Sequence, residues 1–502
     1  MKKRITIVLA CLCMVCSLVA CDMEFGGLVG ELFGEGNVNI GEQPIEPGGA
    51  PDEQYTDVWG DIPQMDETLG PVVDLPIGQY EGQVLTVLCN TSRMLGNDDP
   101  ENDTVGHLTY KRKQIMEEKY GIVIESKLLD DSMIADEICK QASAGVSDFD
   151  LVYGELGFSG TQLAQKRAVH NLYDLPWVDF STVGWNEELN ESLAIGNYLP
   201  MAAGALTPEV MLYTAAIAFN VRLAEEQGIY NYNMYEYVYE GGWTIEKMHA
   251  MIEMTYQDLN ADGIANADAD RFGLVGTLDS VQAFACGMDV SIVEKDANNL
   301  PVIATDIDRA VAAYDRFFKL VTDRSSAYGM MLVQNTSNSL TATNVFERGR
   351  ALFCTTNVKE LFYLADAEYG ILPYPKMDLE DADYHSYVGG NASAVMIPVS
   401  VEDPEFAGYM LQALNQESAG LYQSNVAARI CRSADDNMIF EVIMDSQTFD
   451  FACVYLTYSQ ANKVDLFRVA LESGTNSVAS LFATNQKTLD KALKKLIDAT
   501  QE

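Results

Sequence analysis

The chain has 502 residues, of which 48% are hydrophobic and 21% are charged, so it is long enough for a globular protein of about two domains. Its formal net charge of −42 at pH 7 excludes nucleic acids and anionic lipid surfaces as partners, because both would repel the protein. Four histidines occur, and no two of them have the spacing of a metal-binding or catalytic pair.

The first twenty residues have the pattern of a secretory signal peptide. Three cations, Lys2 to Arg4, precede the apolar run Ile5–Ala20, which is too short to span a membrane. The residues Leu18-Val19-Ala20-Cys21 resemble the lipobox of bacterial lipoproteins. The resemblance implies that Cys21 becomes the lipidated N-terminus of the mature chain, where two or three acyl chains give durable anchoring. The alternative is a plain signal peptide followed by an incidental cysteine.

Asp22–Tyr80 has the composition of a disordered acidic tether. The segment is rich in proline, glycine and acidic residues and contains no lysine or arginine. Such a segment buries too little apolar surface to offset the entropy lost on ordering. As a flexible coil it spans roughly 40 Å, enough to hold a globular body clear of a membrane.

The cysteines beyond position 21 are dispersed, and none forms a CxxC pair. An extracytoplasmic protein can form disulfides, but a chain of this length does not need them for stability. We therefore predict small buried hydrophobic side chains and assign no bridge to Cys89, Cys139, Cys286, Cys354, Cys431 and Cys453.

The globular body is predicted to begin at about Glu81 with strands and helices in alternation. The predicted elements are the strand Val84–Cys89, the helix Thr104–Tyr120, the strand Ile122–Leu129, the helix Met133–Ser143 and the strand Phe149–Tyr153. This alternation indicates a mostly parallel, doubly wound α/β lobe, in which ligands bind beyond the carboxyl ends of the strands. Arg93 and Glu155 follow two of these ends and are candidate ligand-binding residues; the alternative for each is a solvated loop residue.

The middle and end of the chain continue the mixture of helices and strands. Val210–Asn220 is predicted as one long apolar strand, and Gly349–Cys354 as a buried strand that leads into a polar loop, Thr355–Asn357. Thr244 is predicted to cap a helix that runs to about Thr255. Further helices are predicted at Val221–Gln227, Asp306–Val321, Pro404–Leu414, Val464–Ala470 and Lys487–Ala499.

An Asp/Asn-rich segment after this capped helix has the opening of an EF-hand-type calcium loop. Calcium binds six to eight oxygen ligands, and oxygens at positions 1, 3 and 5 followed by glycine at position 6 match that loop. Position 12 is Ala269 instead of glutamate, with Asp268 one residue early and Asp270 one residue late. The alternative is a polar turn without metal. The candidate ligands are Asp258, Asn260, Asp262, the Ile264 carbonyl, Asn266 and Asp270.

Two adjacent glycines, Gly389 and Gly390, followed by Asn391, lead into a short apolar strand, Ala394–Ile397, that Pro398 ends. Paired glycines allow a close backbone approach, which suits a crossing between two lobes or a wall against which a ligand lies. An ordinary bulge or turn is the alternative, and the rest of the chain favours the crossing.

The order of these segments resembles that of the extracellular solute-binding proteins of carbohydrate ABC importers, the family that includes maltose-binding protein. The resemblance covers roughly residues 81–502. It rests on an apolar strand ending in Phe-Asn, then Gly-Gly-Trp-Thr, Asp-Leu-Asn-Ala-Asp-Gly, Gly-Arg-Ala-Leu-Phe, Gly-Ile-Leu-Pro-Tyr-Pro and the Gly-Gly…Ile-Pro strand. It implies an α/β, two-lobed periplasmic-binding-protein-like fold of type II, with a multi-segment hinge that closes on the ligand.

The resemblance also implies an organisation into lobes. Lobe 1 is expected over residues 81–215 with about 392–420 returning to it, and lobe 2 over 216–391 with most of 421–502. Ala216–Asn220 matches the first crossing and Tyr387–Ile397 the second, and a further crossing is expected after the helix Pro404–Leu414. The loop Thr355–Asn357 is expected to line the cleft, which makes Asn357 a candidate ligand residue.

Sugars are bound by aromatic faces together with planar polar side chains. We therefore predict that Trp185, Asn186 and Glu187 contact the ligand, with a tryptophan packed on the lobe surface as the alternative. The expected partners are a small solute, most simply a carbohydrate, and ABC permease subunits. The protein is expected to be a monomer on the extracytoplasmic face of the cell membrane, held there by its lipid alone.

Two alternatives stay open at this point. A secreted glycoside hydrolase needs an acid/base carboxylate pair, which counting 74 acidic residues does not exclude. No Gly-x-Ser-x-Gly, His-Glu-x-x-His, Walker A or Gly-x-Gly-x-x-Gly motif occurs, so we expect no catalysis and no organic cofactor. A binding protein for a non-sugar solute, or a surface sensor, is the other alternative.

Overall fold

The computed structural model describes residues 70–99, 103–263, 266, 269–322, 341–364, 367–457 and 463–501. The predicted signal peptide, Cys21 and residues 22–69 of the predicted tether lie outside the described residues. The described residues belong to one compact unit.

The described strands and helices alternate along the chain as the sequence predicts. The strands are β1 (Val84–Cys89), β2 (Val123–Leu128), β3 (Leu151–Glu155), β4 (Ala215–Asn220), β5 (Phe272–Val275), β6 (Val293–Lys295), β7 (Pro301–Ile303), β8 (Ala351–Asn357), β9 (Tyr369–Leu372), β10 (Ser386–Tyr387), β11 (Ser393–Met396) and β12 (Gln447–Thr448). The helices of the first half are α1 (Thr104–Tyr120), α2 (Asp131–Ala144), α3 (Thr161–Gln165), α4 (Glu187–Leu193), α5 (Pro208–Leu212), α6 (Val221–Glu226), α7 (Asn231–Tyr239), α8 (Ile245–Thr255) and α9 (Val281–Gly287). Those of the second half are α10 (Ile307–Thr322), α11 (Ala342–Glu347), α12 (Val358–Leu361), α13 (Pro404–Ser418), α14 (Leu421–Ile430), α15 (Ala434–Asp445), α16 (Phe451–Tyr455), α17 (Leu466–Ser473) and α18 (Val478–Gln501).

The first sheet has the order β11-β3-β1-β2. β1 pairs in parallel with β2 and β3, whereas β11 pairs antiparallel to β3. The predicted limits of β1 and α1 are confirmed, and hydrogen bonding and backbone conformation explain both ends of α1. The Asp103 side chain accepts a hydrogen bond from the Gly106 N–H at the start, and Gly121 takes the left-handed conformation with φ 68° at the end.

The second sheet has the order β5-β8-β4-β9. β4 runs antiparallel to both of its neighbours, and all six of its residues are buried. Trp243 anchors α8 beneath this sheet: it is fully buried, and its Nε1 donates to the Pro373 carbonyl at 2.9 Å.

Two predictions about these strands are wrong in detail. Val210–Asn220 is not one strand, because residues up to Leu212 belong to α5, and only Ala215–Asn220 enters the sheet. Pro208 stands at the first helical position, where its fixed φ favours a helix start and its missing N–H costs nothing. Thr355–Asn357 is not a loop either, because these residues pair with β4 and complete β8.

Within the described residues, three stretches of chain connect the two sheets. The segment before β4 is bridged by backbone pairing between Thr214 and Val388. Residues 388–392 then lead from this bridge to β11 in the first sheet. Further on, α13 and α14 pack against α1, whereas α15 packs against β9 and α7. The last passage therefore falls between α14 and α15, and residues 421–430, which were expected mainly with lobe 2, lie with the first sheet.

The end of the predicted tether is folded. Residues 70–80 lie along α13, where the Gln416 side chain accepts from the Val73 N–H at 2.8 Å and donates to its carbonyl at 3.3 Å. Leu75 is buried, and the Tyr80 ring, also buried, lies 5.0 Å from that of Tyr409. The buried apolar side chains and the hydrogen bonds to Gln416 order this stretch, although its composition is typical of disorder. The prediction of disorder to residue 80 is therefore wrong for residues 70–80.

The six described cysteines are free thiols; three of them are buried as predicted, whereas Cys139, Cys431 and Cys453 are only half-buried. In the described part of the chain, no helix is long and apolar enough to cross a membrane.

Candidate functional site

The carboxyl edge of the first sheet is organised by a buried hydrogen-bond network around Asp131, the first residue of α2. Its Oδ1 accepts from the Glu155 N–H at 2.9 Å and from Ser159 Oγ at 2.7 Å. Asn90, directly after β1, donates to the same oxygen at 3.4 Å and accepts from Ser393 Oγ at 3.0 Å. Burial raises the pKa of Asp131, and these hydrogen bonds oppose the rise. The network fixes the ends of three strands relative to one another.

Glu155 is the last residue of β3 and lies at this edge of the first sheet. Among the described residues no hydrogen bond or ion pair reaches its side chain, which is half-buried. Burial raises its pKa to about 8, and the negative charges of Asp131, Glu209 and Asp130 add to the effect. Near neutral pH this side chain is therefore largely protonated, and it can both donate and accept a hydrogen bond.

Arg93 follows β1 and forms an ion pair with Glu209 of α5, with Nη1 3.4 Å from Oε1. The Glu209 side chain is only 1% exposed, so the carboxylate of this ion pair is removed from solvent. Burial lowers the pKa of Arg93, but the charge of Glu209 and other nearby groups outweigh this effect. The pKa of Arg93 is therefore raised above its ordinary value. Arg93 is among the predicted ligand-binding residues, whereas Glu209 is not, because the residues that follow it were predicted as a strand.

Lys359 of α12 lies next to this ion pair on the side of the second sheet. Its Nζ is 3.1 Å from Tyr213 Oη and 5.1 Å from the centre of the Tyr213 ring. Burial lowers the pKa of Lys359, and so does the positive charge of Arg93. Tyr213 and Glu209 outweigh both effects, so the pKa of Lys359 is raised. Arg93, Glu155, Glu209, Tyr213 and Lys359 form what we call the strand-end cluster, which joins elements of both sheets.

Gly389 and Gly390 lie against the strand-end cluster. The Gly389 N–H donates to the Tyr213 carbonyl at 3.1 Å, and the Gly157 N–H donates to the Gly390 carbonyl at 2.8 Å. A Cβ at Gly157 would lie 3.2 Å from that carbonyl oxygen, so the two backbones approach more closely than larger residues allow. The neighbouring Asn391 is exposed. The glycine pair thus occupies the passage from the Thr214–Val388 bridge to β11.

Asn357 is positioned by its role at a helix start. It is the last residue of β8 and caps α12, with Oδ1 accepting from the Glu360 N–H at 2.9 Å. This cap sets the direction of α12 and so places Lys359 two residues later.

Trp185, Asn186 and Glu187 lie in a different part of the first lobe. Trp185 Nε1 donates to Gln412 Oε1 of α13 at 3.0 Å, and its ring lies 4.8 Å from that of Phe180. Asn186 caps α4, while Glu187 is exposed in its first turn. No hydrogen bond or ion pair among the described residues joins these three side chains to the strand-end cluster. Their role in binding stays a prediction.

The predicted calcium loop is partly described. Asp258 Oδ2 accepts from the Gly263 N–H at 2.8 Å, whereas its Oδ1 is buried and has no hydrogen-bond partner among the described residues. Asn260 accepts from the Asp262 N–H at 3.1 Å, as in a compact loop. An orphaned carboxylate oxygen beside other oxygen donors fits a hard cation.

The end of the same loop departs from the EF-hand pattern. Asp270 is fully buried, and its two oxygens accept from the N–H groups of Leu259 at 3.1 Å and Asn266 at 2.8 Å. It therefore ties the loop together by hydrogen bonds. Ile264 and Asp268 lie outside the described residues, and within the described part no group of three or more His, Cys, Asp or Glu side chains is arranged to hold a metal ion.

The strand-end cluster offers dense hydrogen-bonding capacity in a small space. A guanidinium, an ammonium, a phenol and a protonated carboxyl supply donors, and the carboxyl and phenol oxygens supply acceptors. Such convergent polar groups at the carboxyl ends of strands suit a small polar solute.

No protein-family model matches the chain, and no curated protein matches it. Several solved structures, in contrast, match the chain in fold. A sugar transporter protein from Rhizobium etli in an open conformation aligns with a TM-score of 0.55 at 14% identity, over 83% of this chain and 99% of that one. UgpB from Mycobacterium tuberculosis in complex with glycerophosphocholine aligns with a TM-score of 0.54 at 13% identity, over 82% and 99%. An ABC transporter solute-binding protein from Thermotoga lettingae bound with α-D-tagatose aligns with a TM-score of 0.50 at 14% identity, over 82% and 100%. The chain therefore has the two-lobed α/β fold of ABC-transporter solute-binding proteins.

Proposed function

We propose that the protein is the substrate-binding lipoprotein of an ABC importer, which captures a sugar or oligosaccharide between its lobes and delivers it to a membrane permease. The observation that carries the proposal is the position of the strand-end cluster, at the carboxyl edge of the first sheet and beside the passages that lead to the second. Structures of the same fold contain such ligands as α-D-tagatose, and they are binding proteins rather than enzymes.

The chemistry of the cluster supports a polyhydroxylated ligand. Each sugar hydroxyl both donates and accepts, and protonated Glu155 can do the same in return. Arg93 and Lys359 donate only, so they pair with ring and hydroxyl oxygens. Tyr363, which follows α12 and is 66% exposed, offers an aromatic face near Arg93. Gly389 and Gly390 lie against the cluster, and the exposed Asn391 beside them supplies an amide group.

The hinge in this proposal consists of the three passages between the sheets. Lobe 1 comprises residues from 81 to about 214 with 392–430, and lobe 2 comprises 215–391 with most of the chain after 430. Closure is driven only by the preference of the ligand for the closed form, so contacts to both lobes are required. Arg93 and Lys359, which follow strands of different sheets, provide such a pair.

The N-terminal segment is proposed to tether this body. Cys21 carries lipid on the extracytoplasmic face of the cell membrane, and the acidic tether runs from it to about residue 69. The mature protein acts as a monomer at the permease, with the lipid as its only membrane attachment.

Calcium is proposed as a structural ion of the 258–270 loop. Asp258, Asn260, Asp262 and Asn266 would hold it, together with the Ile264 carbonyl. Asp270 would shape the loop around the ion through its two backbone hydrogen bonds. The ion has no part in ligand capture in this proposal.

A second candidate is a non-sugar solute that carries a cation. The unpaired Glu155, close to Asp131 and Glu209, favours a positively charged group, because an ammonium would relieve the repulsion among the carboxyl groups. UgpB, of the same fold, binds glycerophosphocholine, whose choline group is cationic.

A ligand panel tests the proposal. The mature chain is heated with individual mono- and oligosaccharides, amino acids, short peptides and choline esters, since any ligand of the native state raises the melting temperature. We expect a hit among the carbohydrates, and titration with that hit should show at least about tenfold weaker binding for Lys359→Met. Lys140→Met, on an exposed face of α2, is the matched control and should bind normally. A hit confined to cationic solutes supports the second candidate, and product formation from a glycan contradicts both.

A further inference from the structure

Asn415 of α13 is a buried amide that joins two distant segments of the first lobe. The residue is 0% exposed. Its Nδ2 donates to the Val183 carbonyl at 3.2 Å, and its Oδ1 accepts from the Leu206 N–H at 3.4 Å. The described residues give this buried N–H no other hydrogen-bond partner. Because a buried backbone group is costly to leave unpaired, Asn415 determines where Leu206 lies.

Two glycines leave the room that this side chain occupies. A Cβ at Gly184 would lie 2.7 Å from Asn415 Nδ2, and a Cβ at Gly204 would lie 2.5 Å from Asn415 Oδ1. Both distances are shorter than side chains tolerate, so the two segments enclose the amide only because these positions are glycine. The Ala205 N–H donates to the Gly184 carbonyl at 2.7 Å and joins the same segments directly. Such tight packing transmits a displacement of one segment to the next.

The segment that Asn415 holds leads directly into α5. Leu206 stands three residues before Glu209. Between them, the Thr207 N–H donates to the Gly204 carbonyl at 2.9 Å, and Thr207 Oγ1 accepts from the Gly204 N–H at 2.9 Å. Pro208 then begins α5 with a fixed φ. A hydrogen-bonded turn and a proline leave this connection little freedom, so a shift of Leu206 is carried to Glu209.

We propose that Asn415 is a positioning residue for ligand capture: by holding Leu206 it places α5 so that Glu209 pairs with Arg93 at the strand ends. The inference rests on the proposed function, in which Arg93 contacts the solute, whereas Asn415 does not touch it. The Arg93–Glu209 pair is already 3.4 Å long, so a displacement of about 1 Å is enough to separate it and to misplace the guanidinium.

Crystals of the unliganded mature chain test the first half of the proposal. Asn415→Leu retains a side chain of similar size and removes both hydrogen bonds. We expect the two charged groups of Arg93 and Glu209 to have moved apart in this variant, whereas the unchanged protein keeps them paired. An intact pair in Asn415→Leu would overturn the proposal. No ligand is needed, so a panel without any hit would end the proposed function and leave this test standing.

Calorimetric titration with the best carbohydrate of the panel tests the second half. Asn415→Leu should bind at least about fivefold more weakly, because a site with a loosened support loses affinity. Gln141→Met is the matched control: Gln141 is also a buried amide, but it accepts from the Asp148 N–H at 2.9 Å, before β3 and at the opposite edge of the sheet. Both variants should melt at lower temperature, and only Asn415→Leu should lose affinity. Equal affinities of the two variants would contradict the proposal.

A second comparison separates positioning through Arg93 from a general loosening of the lobe. In the Arg93→Met protein, Asn415→Leu should weaken binding by no more than about a further twofold, because the group it positions is already absent. The same loss in both backgrounds would contradict this route.

If Asn415→Leu fails to fold, Asn415→Asp decides. Aspartate keeps the shape of the side chain and the acceptor for Leu206, and in its protonated form it also donates to Val183. Its affinity relative to the unchanged protein at the same pH should be near normal at low pH and should fall as the introduced carboxyl ionises. A ratio that does not change with pH would overturn the proposal.

Discussion

Replacing Glu155 by glutamine tests whether this carboxyl group is buried and unpaired at the strand ends. Its pKa rises from an ordinary 4.5 to about 8 in the folded protein, mainly through burial. Between these two values the folded state binds more protons than the unfolded state, so stability falls as the pH rises. The stabilising contribution is complete below pH 4.5 and is lost above pH 8.

The size of the effect follows from the same two values. At 1.36 kcal/mol for each pKa unit, the full difference corresponds to an upper limit of about 5 kcal/mol. Because Glu155 is only half-buried and solvent screens its neighbours, we expect about 1–3 kcal/mol. Glutamine does not ionise, so the Glu155→Gln protein should gain this amount relative to the unchanged protein between pH 5 and pH 9.

Urea unfolding at pH 5, 7 and 9 measures the difference in the free energy of unfolding between the two proteins. Other buried carboxyl groups such as Asp465 titrate in both proteins, so their contributions cancel in this difference. Glu137→Gln is the control. Its pKa is lowered, chiefly by the hydrogen bond from Gln141, so its titration lies below pH 5 and the stability difference for Glu137→Gln should not change between pH 5 and pH 9. A stability difference for Glu155→Gln that does not change with pH would refute the reasoning.

Three further changes test other parts of the structure. Trp185→Phe should lower the free energy of unfolding by about 1–2 kcal/mol, because the Nε1 bond to Gln412 is lost, and ligand affinity within twofold of normal would exclude Trp185 from the binding site. Gly157→Ala should destabilise by about 1–3 kcal/mol, measured by urea unfolding, because its Cβ would lie 3.2 Å from the Gly390 carbonyl; an unchanged stability would mean that the two backbones do not meet. Removing calcium by chelation should lower the melting temperature of protein purified in millimolar calcium if loop 258–270 binds the ion, and an unchanged value would show a simple turn.

Local signals in the sequence were sufficient for the first sheet. The limits of β1 and α1 were predicted to the residue from the apolar run of the strand and the helical pattern that follows it, and the cap at Asp103 and the stop at Gly121 in the structure agree with these limits. Arg93 and Glu155 followed from the same pattern, since the ends of parallel strands meet at one edge of a sheet.

The rest of the site depends on contacts between distant segments. Glu209 and Lys359 come from the short helices α5 and α12. The end of α5 was predicted as the start of a strand, and α12 directly follows the predicted polar loop Thr355–Asn357, where no helix was predicted. Pro208 was the available signal for α5, because proline favours the first turn of a helix. The folded stretch 70–80 was missed because its order depends on Gln416 and Tyr409, more than 300 residues away in the sequence.

The central claim is that the two lobes bind one small solute and do not alter it. Calorimetric titration of the mature chain with the best carbohydrate from the panel, followed by mass spectrometry of the recovered ligand, measures both parts. The account predicts saturable binding of one molecule per chain and recovery of the ligand unchanged. The absence of binding by every carbohydrate, or recovery of a cleaved product, would contradict it.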